Sequence, residues 1–387
     1  MDAFGFYMPT QIVFEKGAML KAPEYAKELG TKGLIVSDKG LVKTGLVDPL
    51  IEEFKKAALP FEMWTDIVPN PRDTDIEKGA AYAAEKGIDY MVAVGGGSAI
   101  DTAKAMGAIL TNGGTCEDCY GGKLTKPITP LIAIPTTCGT GSEVTHESIV
   151  NNTKTMVKDC IWGKYVSVSV ALLDPDTLKG LPPKVMAATG VDALTHAVEA
   201  YVCKAANPFT DGLAIKAITL IAKSLVKAVE TKDDDALADM MAASCIAGAA
   251  FGNSDVASVH SIAEALGGYY DIPHGEANAM MLPAVSRLSI PGAPDRYADV
   301  ARALGVDTTG MEECEAANAG VDAIQALCDR LNIPKFSEVE AVDPKDFKRL
   351  AHTAATASET FDNPVLMTEE DFEALFRRLY FGVDEEA

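Results

Sequence analysis

The sequence has 387 residues, 48% of them hydrophobic and 23% charged, with a formal net charge of −22. A chain of that length and composition folds about a sizeable core, in about two domains on a prior of ~150 residues each, and it holds no apolar run near the ~18 residues that a membrane helix needs. A surface this acidic argues against a nucleic-acid binder, whose affinity rests on neutralising phosphates; small anionic ligands stay open, because they answer to local fields.

The opening "MDAFGFYMPT" has no basic segment followed by an apolar core, so no signal peptide is expected. Helical spacing begins at "GAMLKAPEYAKEL", residues 17–29. "GLIVSD", 33–38, is a β-branched run that ends at Asp38. An acid at a strand end suits the ribose 2′-hydroxyl of a nucleotide and repels a 2′-phosphate, which favours NAD over NADP. The plain alternative for Asp38 is a turn residue. In the usual dinucleotide fold the acid follows the glycines, whereas here it precedes them, so that fold's fingerprint is absent.

A helix over "DIEKGAAYAAEKG" leads to a second strand, "DYMVAVGGGS", and then to the helix "AIDTAKAMGAILTNG". Gly95, Gly96 and Gly97 permit close backbone approach, and the helix that follows offers free N–H groups and a partial positive charge to a phosphate. Ser98 and Asp101 have the spacing of a capping box. A capped tight turn without a ligand is the plain alternative. "TCEDC" puts Cys116 and Cys119 in C-x-x-C spacing with no second pair near it, so it reads as a loop that carries two thiols. Eight cysteines in a chain this long are expected to stay reduced, in the cytoplasm.

The third strand, "PLIAIPTT" (130–137), opens a loop rich in hydroxyls, with Thr136, Thr137, Thr140 and Ser142. Two such loops after neighbouring parallel strands converge at the carboxyl edge of a sheet, where α/β proteins bind ligands. The fourth strand lies in "VSVALLDP", 168–175. Strands alternating with helices imply a mostly parallel sheet covered on both faces.

From "LPPK" (181–184) onward no convincing strand is present. Helical spacing runs through "VMAATGVDALTHAVEAYVC", "TDGLAIKAITLIAKSLVKAVE", "DALADMMAASCIAGAAFG", "VASVHSIAEALGG" and "FKRLAHTAA". The expected division is therefore an α/β domain over 1–182 and an all-helical domain over 183–387, with prolines opening the next helix at the boundary. Ligand sites favour domain interfaces, so the cleft between the two is the expected site.

"GVDALTHAVEAY" carries Asp192 and His196 four residues apart, on one helix face and in an apolar setting. Buried polar groups need a partner: a side chain, a substrate or a metal ion. His260 and His274 in "VHSIAEALGGYYDIPHG" would lie about 21 Å apart on a continuous helix. Gly267–Gly268 is expected to stop that helix and Pro273 to prevent its continuation, so that His274 folds back over the face bearing His260. One acid and three imidazoles then meet in the helical domain, a set that suits a divalent transition metal.

These residues resemble the iron-dependent (group III) alcohol dehydrogenases. The resemblance runs through "MPTQIVFEKGA", "GGGSAIDTAK", "PTTCGTGSEVT", "LLDPDTLKGLPP", "TGVDALTHAVEAY" and "DIPHGEANAMMLP". It implies the dehydroquinate synthase-like architecture of that family, with Asp192, His196, His260 and His274 as ligands of one divalent ion, Fe2+ before Zn2+ or Mn2+. It also implies contacts to NAD(H) from Asp38, Asn70, Gly97, Ser98, Thr136, Thr137, Thr140, Lys158 and Leu178. A homodimer or higher homo-oligomer follows from the same resemblance. Many members carry a further histidine one turn after the third ligand; here that position is Glu264, and His146 and Glu147 replace apolar or small residues beside the threonine loop.

The expected reaction is hydride transfer between a small primary alcohol or its aldehyde and a nicotinamide, with the metal as Lewis acid. A zinc polyol dehydrogenase of the glycerol type, a dehydroquinate synthase-like lyase and a non-catalytic structural subunit are the alternatives. Glu264 is expected to face the site, disfavour anionic aldehydes and relay the alcohol proton.

Overall fold

The computed structural model describes residues 3–155 and 157–382. Contacts divide the chain into two compact units, one over Tyr7–Leu181 and one in which Pro182–Ala387 is joined by Met1–Phe6. The expected division assigned the first residues to the α/β domain. Here Phe4 and Phe6 pack at a tilt against Phe209 of the helical unit, with ring centroids 5.8 and 5.5 Å apart, which explains the difference.

The first unit holds eight strands among its described residues: β1 (Gln11–Phe14), β2 (Gly33–Val36), β3 (Phe61–Trp64), β4 (Tyr90–Gly95), β5 (Leu131–Pro135), β6 (Glu147–Asn152), β7 (Val157–Trp162) and β8 (Val170–Leu173). Its helices are α1 (Ala22–Leu29), α2 (Lys39–Lys43), α3 (Asp48–Lys56), α4 (Asp73–Lys86), α5 (Gly97–Asn112) and the single turn α6 (Cys116–Cys119). Six strands form one parallel sheet in the order β1-β8-β5-β4-β2-β3, and β6 pairs with β7 in a separate antiparallel hairpin.

The near-continuous apolar runs of the central strands have a direct cause: both faces are buried. Alternate side chains serve opposite layers. Leu34, Val36, Met91 and Ala93 pack with Ile76, Ala80, Ile100 and Met106 from α4 and α5. Ile35, Val92 and Val94 pack instead with Ala22, Ala26, Leu50 and Phe54 from α1 and α3. Along the sheet β5, β4 and β2 follow one another, and the chain leaves β2 for β3 on one side and leaves β4 for β5 on the other. The carboxyl ends of these strands therefore lie at a topological switch point, the place where such sheets bind ligands. The edge strands β1 and β3 and the hairpin were not legible in the sequence. The edge strands are short, and neither is fully buried, so their residues lack the apolar run that marks the centre.

The second unit contains nine α-helices and no strand among its described residues: α7 (Pro183–Val202), α8 (Pro208–Thr231), α9 (Asp234–Phe251), α10 (Ser258–Tyr270), α11 (His274–Ser289), α12 (Pro294–Ala303), α13 (Glu313–Arg330), α14 (Phe347–Thr356) and α15 (Glu369–Phe381). α7 starts with Pro183 in its first turn and is buried on every side from Gly190 to Val202. That placement leaves its polar side chains no route to water, so each must be satisfied inside the bundle. Gly190 is where α8 comes nearest: a Cβ there would lie 2.2 Å from Leu225 Cδ1. No helix among the described residues is long and apolar enough to cross a membrane.

The break between His260 and His274 forms differently from the expected one. Gly267 and Gly268 lie inside α10, which continues to Tyr270 and ends on Asp271 in the left-handed region (φ 55°). Asp271 N–H closes the helix on the Gly267 carbonyl. A helix tolerates interior glycine at about 1 kcal/mol per residue, so glycine alone does not stop it. Pro273 then caps α11, whose first residue is His274.

Candidate metal centre

Asp192 and His196 project from consecutive turns of α7, His260 comes from the first turn of α10, and His274 opens α11. One donor atom from each of the four lies within 4.8 Å of the others. Asp192, His196 and His260 are buried, and His274 keeps 28% of its side chain exposed. The imidazoles are tilted against one another, with ring centroids 4.6 Å apart for His196–His260 and 5.3 Å for His260–His274. His196 is held from behind by Phe251, stacked at 4.4 Å and 16°.

The residues present fit a divalent ion. With bonds of about 2.0–2.2 Å, ligands on opposite sides of an ion stand at most about 4.4 Å apart, so these donors are assembled to within about an ångström. Three imidazoles and one carboxylate are borderline donors suited to iron, zinc or cobalt. Asn278, four residues after His274 on α11, reaches the same centre. Its amide Nδ2 donates to Asp192 Oδ1 at 2.7 Å and lies 3.0 Å from His260 Nε2 and 3.1 Å from His274 Nε2. Its Oδ1 is buried with no hydrogen-bond partner among the described residues. A buried polar atom left in that state beside four donors marks a centre built for a further polar or charged occupant.

Glu199 lies three residues after His196 on α7 and is buried. Its Oε2 is 2.5 Å from His260 Nδ1 and accepts the Ala257 N–H at 2.9 Å, while Oε1 accepts the Val259 N–H at 2.7 Å. Burial pushes its carboxyl up to about 8, against the opposing pull of those backbone donors. Sequence reasoning missed Glu199 and Asn278. The signal available for Glu199 was a third ionisable residue, in "THAVEAY", on a helix whose other residues are almost all apolar. Glu264 lies one turn beyond His260 on α10 and is half-buried.

In the first unit, Gly96 caps α5 and Gly97 is its first residue. A Cβ on Gly96 would stand 3.1 Å from Thr137 Cγ2, and one on Gly97 would stand 2.8 Å from Thr140 Cγ2. The glycines thus let the helix N-terminus close directly onto the threonine loop. Thr136 N–H is tied to the Gly95 carbonyl at 3.0 Å. The expected Ser98–Asp101 capping box is absent: α5 has no side-chain cap. Asp101 turns the other way, accepting Ser142 Oγ at 2.6 Å and facing Ile149 N–H at 3.4 Å. Burial pushes its carboxyl up, opposed chiefly by Lys104. Wholly buried Lys104 donates to the carbonyls of Thr145 (3.1 Å) and Glu147 (2.6 Å), and burial pulls its ammonium down. This pair fastens the threonine loop and the β6–β7 hairpin to α5.

The remaining nucleotide candidates are spread over the same unit. Asp38 follows β2 and caps α2, accepting the Leu41 N–H at 2.8 Å. Asn70 holds a left-handed backbone (φ 54°), Lys158 lies on β7, and Leu178 is fully buried in a 3-10 turn after β8. His146 is engaged through both ring nitrogens: Nε2 donates to the Tyr7 carbonyl at 2.6 Å and Nδ1 meets Ser167 Oγ at 3.1 Å. Burial holds its pKa below the ordinary histidine value. Cys116 and Cys119 are buried, and burial pushes both thiols up, so neither has the low pKa of a reactive thiol.

Known proteins match along almost all of this chain. Residues 9–175 fit the family described as iron-containing alcohol dehydrogenase, and residues 186–380 fit the C-terminal domain of the Fe-containing alcohol dehydrogenase family. The 1,3-propanediol dehydrogenase of Citrobacter freundii is 39% identical over 97% of this chain and 99% of its own. A crystal structure of a 1,3-propanediol oxidoreductase is similar with a TM-score of 0.95 and 38% identity, covering 98% of this chain and 100% of that one. The sulfoacetaldehyde reductase of Bifidobacterium kashiwanohense, solved in complex with NAD+, is similar with a TM-score of 0.88 and 30% identity over 98% of this chain and 99% of that one. Both halves being matched, and a relative this similar extending end to end, the chain belongs to the iron-containing alcohol dehydrogenase family of oxidoreductases.

Proposed function

We propose that the protein interconverts a small primary alcohol and its aldehyde with NAD(H), using one divalent ion, Fe2+ before Zn2+ or Mn2+. The observation that carries this reading is the convergence of Asp192, His196, His260 and His274 to within 4.8 Å in the helical unit. When bound, the nicotinamide supplies the hydride chemistry and the ion supplies Lewis acidity toward the alcohol oxygen.

The chain's own residues divide the remaining work. In this reading the backbone N–H groups of Gly97 and Ser98 at the start of α5 receive the cofactor's phosphates. Gly95, Gly96, Asp101, Thr136, Thr137 and Thr140 shape the surrounding loops, Asp38 takes the ribose and selects NAD over NADP, and Asn70, Lys158 and Leu178 complete the nucleotide site. Glu264 relays the alcohol proton toward water. The similarity to a propanediol enzyme and to an aldehyde reductase solved with NAD+ supports a small alcohol or aldehyde as substrate and NAD as cofactor. The reading places the enzyme in the reducing cytoplasm, where eight free cysteines are stable, as a homo-oligomer.

The test is NADH oxidation with a panel of aldehydes, run with metal analysis of the purified protein. One divalent ion per chain and NADH-dependent reduction of short neutral aldehydes are expected. His260→Ala and His274→Ala should each lose most of the ion and reduce turnover by at least about 1,000-fold, the scale of a catalytic electrostatic group. Full metal occupancy in both variants would remove the assignment, and activity confined to polyols would favour the glycerol-type alternative.

A further inference from the structure

We infer that Glu199 is a positioning residue of the metal centre: through His260 Nδ1 it sets which imidazole nitrogen faces the other three donors. The inference rests on the reading of Asp192, His196, His260 and His274 as metal ligands.

Three donors converge on the Glu199 carboxylate: the backbone N–H groups of Ala257 and Val259, and His260 Nδ1. Ala257 and Val259 belong to the start of α10, where backbone N–H groups have no partner within the helix. A carboxylate from α7 therefore caps α10 from the side and fixes where that helix begins. His260 lies in the same first turn, so the anchor that holds the turn also holds the imidazole.

The second consequence is chemical. A neutral imidazole carries one N–H, and only its other nitrogen can ligate a metal. The backbone N–H bonds to both Glu199 oxygens favour the ionised form against the upward push of burial, and with a carboxylate accepting at Nδ1 the imidazole proton belongs there. Nε2 is then left with its lone pair, and Nε2 is the atom that Asn278 Nδ2 approaches at 3.0 Å. His196, in contrast, is braced by an apolar ring, Phe251, and His274 opens its helix. A carboxylate on the far nitrogen of a ligating histidine fixes ring orientation and raises ligand basicity, and its loss weakens metal affinity by about 10–100-fold.

The residue is sited for this by helix geometry. His196 and Glu199 are one turn apart on α7, so a single helix carries one ligand and the support of another. Glutamine at this position keeps the volume but presents an N–H₂ group to sites where only donors face it, so the tautomer is no longer dictated.

The experiment measures Co2+ and Zn2+ affinity by chelator competition in the full chain, for wild type, Glu199→Gln, His260→Ala and the double variant. Co2+ absorption reports the coordination in each. Glu199→Gln should weaken binding by about 10–100-fold and alter the Co2+ spectrum, and in the His260→Ala background the same change should cost under about 3-fold. An equal loss in both backgrounds assigns Glu199 to helix anchoring alone and overturns the proposal, as does wild-type affinity with an unchanged spectrum in Glu199→Gln. If Glu199→Gln lacks the wild-type far-ultraviolet dichroism, Glu199→Asp takes its place: it keeps the charge, draws it back from Nδ1, and should also weaken the ion in the His260 background only. Wild type that binds no ion would instead remove the metal reading itself, and this proposal with it.

Discussion

Asp255 lies just before α10, where burial pushes its carboxyl up to about 6 and Asp362, Glu359 and Glu199 add like charge. A folded-state value above the unfolded one near 3.8 means that the protonated acid stabilises the fold at low pH, and that this contribution is lost as pH rises through about 6. Asp255→Asn keeps an acceptor for the Val256 N–H and removes the charge. It should raise unfolding free energy at pH 8 by about 1–2 kcal/mol, with a smaller gain at pH 4.5. Urea unfolding at the two pH values checks this, and an equal change at both would show that charge is not the cause. We propose that Glu264 acts at the same scale, on specificity. In our reading its charge disfavours anionic aldehydes. Glu264→Gln should raise kcat/KM for a carboxylate-bearing aldehyde by about 5–10-fold relative to a neutral one, a gain of about 1–1.4 kcal/mol. Identical ratios in the two proteins would leave Glu264 outside the substrate's reach.

Among the elements, α7 governs the centre because it carries Asp192, His196 and Glu199 along one buried helix. Its position depends on Gly190, two residues before Asp192, where α8 packs so closely that any side chain meets Leu225. Gly190→Ala gains helix propensity of about 1 kcal/mol but overpacks that contact, at about 1–3 kcal/mol. The flexible end of Leu225 is what must yield. A net loss of up to about 2 kcal/mol is expected, and Leu225→Ala combined with Gly190→Ala should cost less than the sum of the single changes. Chemical denaturation of the four proteins tests the coupling; strict additivity would place the strain elsewhere. The α5 N-terminus obeys the same logic, since Gly96 and Gly97 admit the threonine loop only because they lack a Cβ.

For the molecule as a whole, the four donors come from α7, α10 and α11, so in our reading metal binding is linked to the folding of the helical unit. An ion that binds only the folded state adds about 2.7 kcal/mol at 100 times its Kd. Chelation should therefore lower the thermal transition of the helical unit by a few degrees. The α/β unit, which supplies none of the four donors, should unfold as before. His274→Ala should abolish the dependence on metal. Calorimetry with and without chelator is the measurement, and a transition that ignores the ion in wild type would mean the four side chains bind none.

The central strands were legible because burial on both faces demands the unbroken apolar runs of β2, β4 and β5, and the helices because their packing leaves a three- and four-residue spacing. Asp192 and His196 were legible as a pair because four residues along a helix is one face, and that is local information. The strands β1 and β3 and the β6–β7 hairpin were not: their identity comes from pairing with distant segments, and edge exposure erases the apolar run. The turn that brings His274 to His260 shows the same division. Pro273 announced a break, but its place at Asp271, beyond the two glycines, was decided by the closure of α10. Asp101 had the spacing of a cap, and tertiary contact gave it Ser142 and the hairpin instead, because a buried carboxylate follows the available donors. Glu199 and Asn278 stayed hidden for the same reason. Their partners lie 61 residues away for Glu199–His260 and 86 for Asn278–Asp192, and only the packing of α7, α10 and α11 brings those atoms within hydrogen-bond reach.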